Sequence, residues 1–338
     1  MARPTKKFIL SARDRAALSN DVGLSPVTLA RFLAGNLDLP EASAVRVEAS
    51  ILDLGLGRAV EHARPVALMV PDLDAPYFSH MAQCLEREAL DLGWDLLVAL
   101  TGNSVTREIR LLGLFPPRQV AGILLFTNNG SDAALLSELA ARNDVVALAE
   151  AVPDGEAHRV VNDYLAVGRL AARYLTSLGH QRVAFIGGPP HVDSTKQIST
   201  AFFRDKYPTM PSRALFQAYL GTHDEQHGYD ATLKIAARPD RPTAIFAGSS
   251  VIAQGVIRAC SRLGWIIPDD VSLIAFDGAG PLDLLRPAVT SISVSMEDIA
   301  RRSLTLLQRH AHRQGRAMTE RVGVTLDIRE STAPPPQR

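Results

Sequence analysis

From Pro65 onward the chain alternates short apolar runs with longer amphipathic stretches. The runs are "PVALMV" (65–70), "DLLVAL" (95–100), "AGILLF" (121–126), "DVVALA" (144–149), "RVAFIGG" (182–188), "TAIFAG" (243–248) and "VSLIAFDG" (271–278). Near-continuous apolarity over this length predicts strands buried on both faces. Between them, residues 78–92, 104–114, 131–142, 163–178, 193–205, 249–263 and 295–313 carry helical periodicity. Strand–helix alternation implies parallel sheets with right-handed crossovers. There are too many units for one ordinary open sheet, so two consecutive Rossmann-like lobes are expected. A ligand would then bind beyond the carboxyl ends of the strands, in a cleft between the lobes.

Residues 12–56 follow a different pattern, helical in three short pieces. Asp14 suits the cap of a first helix ending near Asp21, and Val22-Gly23 makes a turn. In "GLSPVTLARFLAGN" (23–36), Ser25 suits an N-cap and Pro26 the first helical position. A third helix is expected over about Glu41 to Leu54. Leu18, Val22, Leu29, Phe32, Val47 and Ile51 would form one small core, leaving Val27, Thr28 and Arg31 on the front of the second helix. This is helix-turn-helix architecture. The division expected is a head over 1–57, a short linker over 58–64 and a two-lobed body over 65–332. Within the body, the N-lobe takes about 65–162 and 294–315, and the C-lobe about 163–293 and 316–332. "APPPQR" at the end reads as extended, so 333–338 are expected to be a disordered tail.

Composition changes this picture little. The chain has 338 residues, 46% hydrophobic and 21% charged, with a formal net charge of zero, so overall charge gives no support for nucleic acid. Its distribution gives some. Residues 1–31 carry six basic against two acidic residues, a modest positive end suited to a few phosphates. Two cysteines, Cys84 and Cys260, fit buried thiols in a reducing compartment. No apolar run reaches transmembrane length, and "FIL" near the start is too short for a signal-peptide core. A cytoplasmic protein with no membrane partner is expected.

Catalytic and metal motifs are weak. "GLGRAV" (55–60) follows a helix and "GAG" (278–280) is incomplete, so both read as turn glycines rather than dinucleotide fingerprints. "HDEQH" (223–227) spaces two histidines four apart but brings no third ligand. No nucleophile elbow, phosphate loop or cysteine pair occurs, and neither an enzyme, a cofactor nor a metal is expected. The strand ends are richer: Asp72, Asp74, Thr127, Asn128, Glu150, Asn162, Asp163 and Asp277 all stand there, and Phe78 offers a stacking face. Polar groups converging on one cleft suit a polar small ligand. Several suit helix caps equally well, Asp163 and Ser194 among them.

The order of parts resembles the lac-repressor (LacI/GalR) family of bacterial transcription regulators along nearly the whole chain. The resemblance rests on "VGLSPVTLARFL" (22–33), "VRVEASILDLGL" (45–56), "VPDLDAPYF" (70–78), "VAGILLF" (120–126) and "VVNDYLAVGRLAARYLTSLGHQRVAFIGGP" (160–189). It continues through "RPTAIFAGSSVIAQGVIRACSRLGWIIPDDVSLIAFDG" (241–278) and "AVTSISVSMEDIAR" (288–301). It implies an all-α helix-turn-helix head joined to a type I periplasmic-binding-protein-like core with two parallel Rossmann-like sheets. It also implies a homodimer on a near-palindromic double-stranded operator, with a small effector altering DNA affinity. By position, Pro26 and Val27 fall where bases are read, with Arg31 following, and Ser25, Thr28 and Ser43 fall at phosphate positions. Phe78, Glu150, Lys196, Ser249 and Asp277 fall at effector positions, with Asp74, Thr127 and Asp163 added from the strand ends.

The sequence departs from the family in five places, one of them Ala34, where Asn is usual near the end of the recognition helix. Pro26 and Val27 lack bidentate donors, which leaves Arg31 as the candidate for guanine. The linker "GRAVEHARPVAL" is several residues short and offers only Ala59 and Val60 as a minor-groove wedge. Ile198 stands where sugar-binding members often carry Arg. Ser249-Ser250 replaces a common Asn-Asp. The expected function is that of a DNA-binding regulator, a repressor controlled by a sugar or sugar derivative. The alternative is a solute-binding receptor of the same two-lobed class that works without DNA.

Overall fold

The structure is a computed structural model that describes residues 8–9, 12–33, 36–54, 58–59, 65–148, 152–207, 218–277, 282–310 and 317–336. Its contacts divide the chain into two compact units, residues 1–65 and 66–338.

The first unit holds β1 (Phe8–Ile9), α1 (Ala12–Val22), α2 (Pro26–Leu33), α3 (Glu41–Asp53) and β2 (Arg58–Ala59). Gly23, at φ +70°, turns the chain after α1. The Ser25 hydroxyl accepts from the Thr28 backbone N–H at 3.0 Å, which starts α2. Leu18, Val22, Leu29, Phe32, Val47 and Ile51 are buried together, joined by Leu33, Leu39 and Ala44. Burying each of the larger side chains contributes roughly 1.5–3 kcal/mol, which is what holds so small a unit. Arg58–Ala59, read as linker, instead pairs antiparallel with Phe8–Ile9. The rest of that stretch, 60–64, lies outside the described residues, as do the described tail's last two positions, 337–338.

In the second unit the order is β3 (Val66–Val70), α4 (Pro76–Asp91), β4 (Leu96–Leu100), α5 (Val105–Leu114), β5 (Gly122–Leu125), α6 (Ala133–Ala140), β6 (Val145–Ala147) and β7 (His158–Asn162). Then come α7 (Tyr164–Ser177), β8 (Val183–Gly187), α8 (Asp193–Lys206), β9 (Ala218–Leu220), α9 (Glu225–Ala236), β10 (Ala244–Ala247), α10 (Ser250–Leu263) and β11 (Ser272–Asp277). β12 (Thr290–Val294), α11 (Met296–His310), β13 (Thr319–Val322) and β14 (Val324–Asp327) complete it. One sheet runs β13-β7-β6-β5-β3-β4, every neighbouring pair parallel. The other runs β14-β12-β11-β10-β8-β9, parallel except where β14 returns antiparallel to β12. This is the two-lobed α/β architecture of a type I periplasmic-binding-protein-like core.

The chain passes between sheets three times: β7 to α7, β12 to α11, and β13 to β14. Two crossings are stitched together where the Asp163 N–H donates to the Val322 carbonyl at 3.2 Å. Residues 316–332 were expected wholly in the C-lobe, yet Thr319–Val322 pairs with β7 in the first sheet, and the return comes only at Val324. The expectation of burial on both faces fails for β4. It is an edge strand, and Leu97, Val98 and Leu100 stay about 40% exposed. No helix among the described residues is long and apolar enough to cross a membrane. Cys84 and Cys260 are both buried and not disulfide-bonded, and burial pushes the Cys260 thiol up to about 12.

The tail is not disordered over 333–336. Ser331 accepts from the Thr290 N–H at 2.8 Å, and Thr332 meets the Tyr174 hydroxyl at 2.7 Å. Ala333 uses both its backbone groups on Ser272, and its carbonyl also accepts from His180 Nε2 at 2.9 Å. The prolines lack donors, but the three residues before them satisfy polar groups at the edges of β11, β12 and α7. His180 is 1% exposed, and since Nε2 must donate to the carbonyl, Nδ1 accepts from the Thr243 hydroxyl at 2.9 Å. Burial, helped by nearby Lys206, holds this imidazole below its ordinary pKa of 6.5 against the opposing pull of the Ala333 carbonyl. The unfolded chain therefore binds the extra proton first, so the contribution of neutral His180 is complete above about pH 6.5 and is lost on acidification. Melting temperature should fall as pH drops from 7 to 5. His180→Gln, which keeps one donor and one acceptor, should show a shallower fall by calorimetry; an equal slope would show that His180 is not the group responsible.

Candidate functional site

The ends of β3, β5, β8, β10 and β11 open on a cavity of about 350 Å³ with walls from both lobes, within the size range of small-molecule sites. The N-lobe wall begins at Asp72, whose Oδ1 accepts from the Asp74 and Ala75 N–H groups at 3.0 and 3.1 Å. This turn sets Pro76 at the start of α4 and brings Tyr77 and Phe78 to the cavity. Phe126, just past β5, meets Phe78 edge-on at 4.8 Å and Tyr77 at 5.8 Å. Asn103 and Asn128 complete this side, linked by a 3.4 Å hydrogen bond.

The opposite wall belongs to the C-lobe. Tyr164 and Phe276 make an edge contact at 5.8 Å. Ser194, Thr195 and Ile198 come from the first turns of α8, and Ser249, Ser250 and Val251 from the start of α10. His191 and His223 supply imidazoles. His223 sits so close to residue 188 that a Cβ there would meet its Nε2 at 2.0 Å, which makes Gly188 a requirement of this wall. Packing against one side of the His223 ring lowers its pKa, and neighbouring His227 adds to the effect while Asp224 opposes it. It faces the cavity as a neutral ring at neutral pH. Among the described lining residues there is no lysine or arginine. Three helix starts (α4, α8 and α10) line the space instead, offering backbone donors and positive dipole ends. The arrangement favours an uncharged ligand with apolar faces for six aromatic rings and oxygens for asparagine, serine and imidazole groups.

The residues singled out from sequence fare unevenly. Phe78 and Ser249 line the cavity, and Ser249 also caps α10 through the Ile252 N–H at 3.3 Å. Asp163 takes the capping role, accepting from the Ala166 N–H at 2.9 Å, and it is Tyr164 beside it that lines the space. Asp74 is exposed and yields its place to Asp72. Lys196 points to solvent and pairs with Asp193 at 3.3 Å; the preceding Thr195 faces in. Thr127 is buried beneath the cavity, donating to Glu108 Oε2 at 3.0 Å. Glu150 lies outside the described residues, and so does the side chain of Asp277, although its backbone ends β11 one residue past Phe276. Ser194 is not the cap of α8, which begins at Asp193. In "HDEQH", His227 Nε2 is engaged by the Gly187 and Tyr219 carbonyls, which removes it from metal binding at that nitrogen.

In the first unit, Pro26, Val27 and Arg31 are exposed on α2, Val27 at 69%. Ser25 and Thr28 hydroxyls lie 2.8 Å apart at its start, and Ser43 stands in the first turn of α3. An apolar residue so exposed beside an exposed arginine suits a surface that meets base edges and phosphates.

Fold and cavity together define a two-lobed ligand-binding core. Residues 172–332 match the periplasmic binding protein-like domain model. The chain is 27% identical over 285 residues to the HTH-type transcriptional repressor PurR of Erwinia tasmaniensis, covering 82% of this chain and 83% of that protein. It is 24% identical to catabolite control protein A of Priestia megaterium, covering 88% and 92%. A LacI family transcriptional regulator from Enterococcus faecalis, solved with bound ribose, superimposes with a TM-score of 0.68 at 25% identity, covering 80% of this chain and 99% of that one. Over most of its length the chain is similar to curated transcriptional repressors and to a solved LacI family regulator, and those repressors are not enzymes.

Glu108, fully buried, has its pKa raised by desolvation, partly offset by hydrogen bonds from Thr127 and Asn129. Asn129 in turn donates to the Asn103 carbonyl, so this carboxyl holds the loop carrying Asn128. Thr127→Val should leave a buried acceptor short of a partner and cost about 1–3 kcal/mol in urea unfolding. A loss below about 0.5 kcal/mol would put Thr127 outside this network.

Proposed function

We propose that this chain is an operator-binding transcriptional repressor, working as a cytoplasmic homodimer and switched by a neutral sugar or sugar derivative held between the lobes. The observation that carries the reading is the cavity itself, whose walls are divided between two lobes joined by three short crossings. A ligand touching both walls favours one lobe arrangement only through its differential affinity, and coupling of about 1–3 kcal/mol is the usual scale. Aromatic rings suit the C–H faces of a sugar, while Asn103, Asn128, His191, His223 and Ser249 suit its hydroxyls. The ribose-bound relative supports the sugar class.

The head supports the DNA reading. Pro26 and Val27 can press on thymine methyls, Arg31 can reach a guanine edge, and Ser25, Thr28 and Ser43 stand near the phosphates. Two such heads about 34–36 Å apart require a near-palindromic duplex. The unpaired edge of β4 with its apolar side chains supports pairing with a second copy. The domain division expected from sequence, with head, linker and two lobes, is retained in this reading.

Selection from random duplexes by the full chain should enrich a near-palindrome, and adding the cognate sugar should change its affinity. Arg31→Ala should lose about 1–3 kcal/mol on the selected sequence and relax one base pair per half-site. Uniform loss on all sequences would make Arg31 a phosphate contact. If the full chain binds sugars by calorimetry yet enriches no duplex at low salt, the solute-receptor reading replaces this one.

A further inference from the structure

Outside the cleft, α4 and α11 bring three metal-ligating side chains together. His80 and Cys84 stand one helical turn apart on α4, and Glu297 lies in the first turn of α11. Their donor atoms all fall within 4.8 Å of one another. A tetrahedral ion with bonds of about 2.0–2.3 Å sets neighbouring donors roughly 3.5 Å apart. Cys84 Sγ and Glu297 Oε1 already lie 3.6 Å apart, so that edge is formed and only the His80 ring has to close in. The exposed side of His80 and Glu297 gives an ion a route in, while Cys84 forms the buried floor.

We propose that His80, Cys84 and Glu297 form a zinc-type metal site. A thiolate, an imidazole and a carboxylate suit a borderline-soft divalent ion, and not calcium or magnesium, which take oxygen ligands. Binding displaces the Cys84 thiol proton to solvent and forms the metal–sulfur bond. Three protein ligands leave a fourth position for water. Arg87 now occupies the neighbourhood, with Nη2 3.3 Å from Cys84 Sγ and 3.7 Å from Glu297 Oε1. Its side chain is 65% exposed and swings outward without unfolding anything, so the metal replaces one positive charge by another. The site has a structural consequence. α11 begins one residue after Ser295, at the second crossing between the sheets, and α4 begins at the cleft wall with Tyr77 and Phe78. An ion here ties those two helix starts together.

The test is a cobalt titration of the chelator-treated full-length protein. One ion per chain is expected, with a thiolate-to-cobalt charge-transfer absorption that zinc abolishes by competition. Cys84→Ser should lose the absorption, and His80→Ala and Glu297→Gln should each lower affinity by at least about tenfold, near 1.4 kcal/mol. His80 is exposed, so its variant folds even if the cysteine variant does not. No cobalt bound, cobalt bound without the thiolate absorption, or wild-type affinity in the His80 and Glu297 variants would each overturn the site.

Discussion

Everything about the body follows from three crossings between two sheets. Each sheet has one core of its own and shares a larger one with the other, and neither is one uninterrupted piece of chain, because β13 and α11 return to the first sheet after the second is nearly complete. The crossings are short and pinned at both ends. Asp163 caps α7 and is bonded to Val322, while the Ser295 hydroxyl accepts from the Asp298 N–H at 3.0 Å at the start of α11. Between those pins only a few backbone torsions are left to change, so relative movement of the lobes is confined to hinge motion. A cleft bounded by such lobes has few ways to respond to a ligand, which is what an on–off regulator requires.

The chemistry of the cleft is set by what its helices leave unmade. Three helix starts point backbone donors at the space, and the charged side chains nearby have been drawn into other duties: Asp163 into a cap, Lys196 into a surface pair, Glu108 into a buried bracket. What remains facing inward is aromatic or neutral polar, apart from the Asp72 carboxylate, whose Oδ1 is already engaged by backbone N–H groups. Among the described lining residues an anion would find helix dipoles but no lysine or arginine, and a cation would meet those same dipoles unfavourably, with Asp72 as its one carboxylate there. A neutral ligand with oxygen acceptors avoids both difficulties, and the desolvation that lowers the His223 pKa favours the neutral form of that ring.

How much of this was legible depends on where each residue spends its polar groups. Continuous apolar runs such as "VALMV" and "AIFA" announced their strands because both faces are covered. β7 did not, because it begins with His158 and Arg159, which are buried only by virtue of partners far along the chain. β13 and β14 are short and half exposed, and β12 hides its apolar residues among serines and threonines. In the first unit the three helices and the six core residues were legible, since short helices around one core are a local problem, although α1 begins at Ala12 and so Asp14 is not its cap. The tail was not legible, since its order comes from the Ser272, Thr290 and His180 groups it meets.

The site shows the same division. Attention to polar residues at strand ends found Asp72 and Asn128, a stacking face pointed to Phe78, and position in the family pattern found Ser249. Sequence could not say whether a carboxylate or hydroxyl turns toward the cleft or folds back on the backbone, and the backbone took Asp163, Asp72 in part, and Thr127 by way of Glu108. Tyr77, Phe126, Tyr164 and Phe276 went unnoticed because aromatic residues beside strands usually read as core. Their signal was available in their placement: Phe126 and Tyr164 stand one and two residues past the ends of β5 and β7, Tyr77 lies in the first turn of the helix that follows β3, and Phe276 is the last apolar residue of β11. A bulky ring at such a position packs on another ring of its own wall, as Phe126 does on Phe78 and Tyr164 on Phe276, and both pairs still line the cleft.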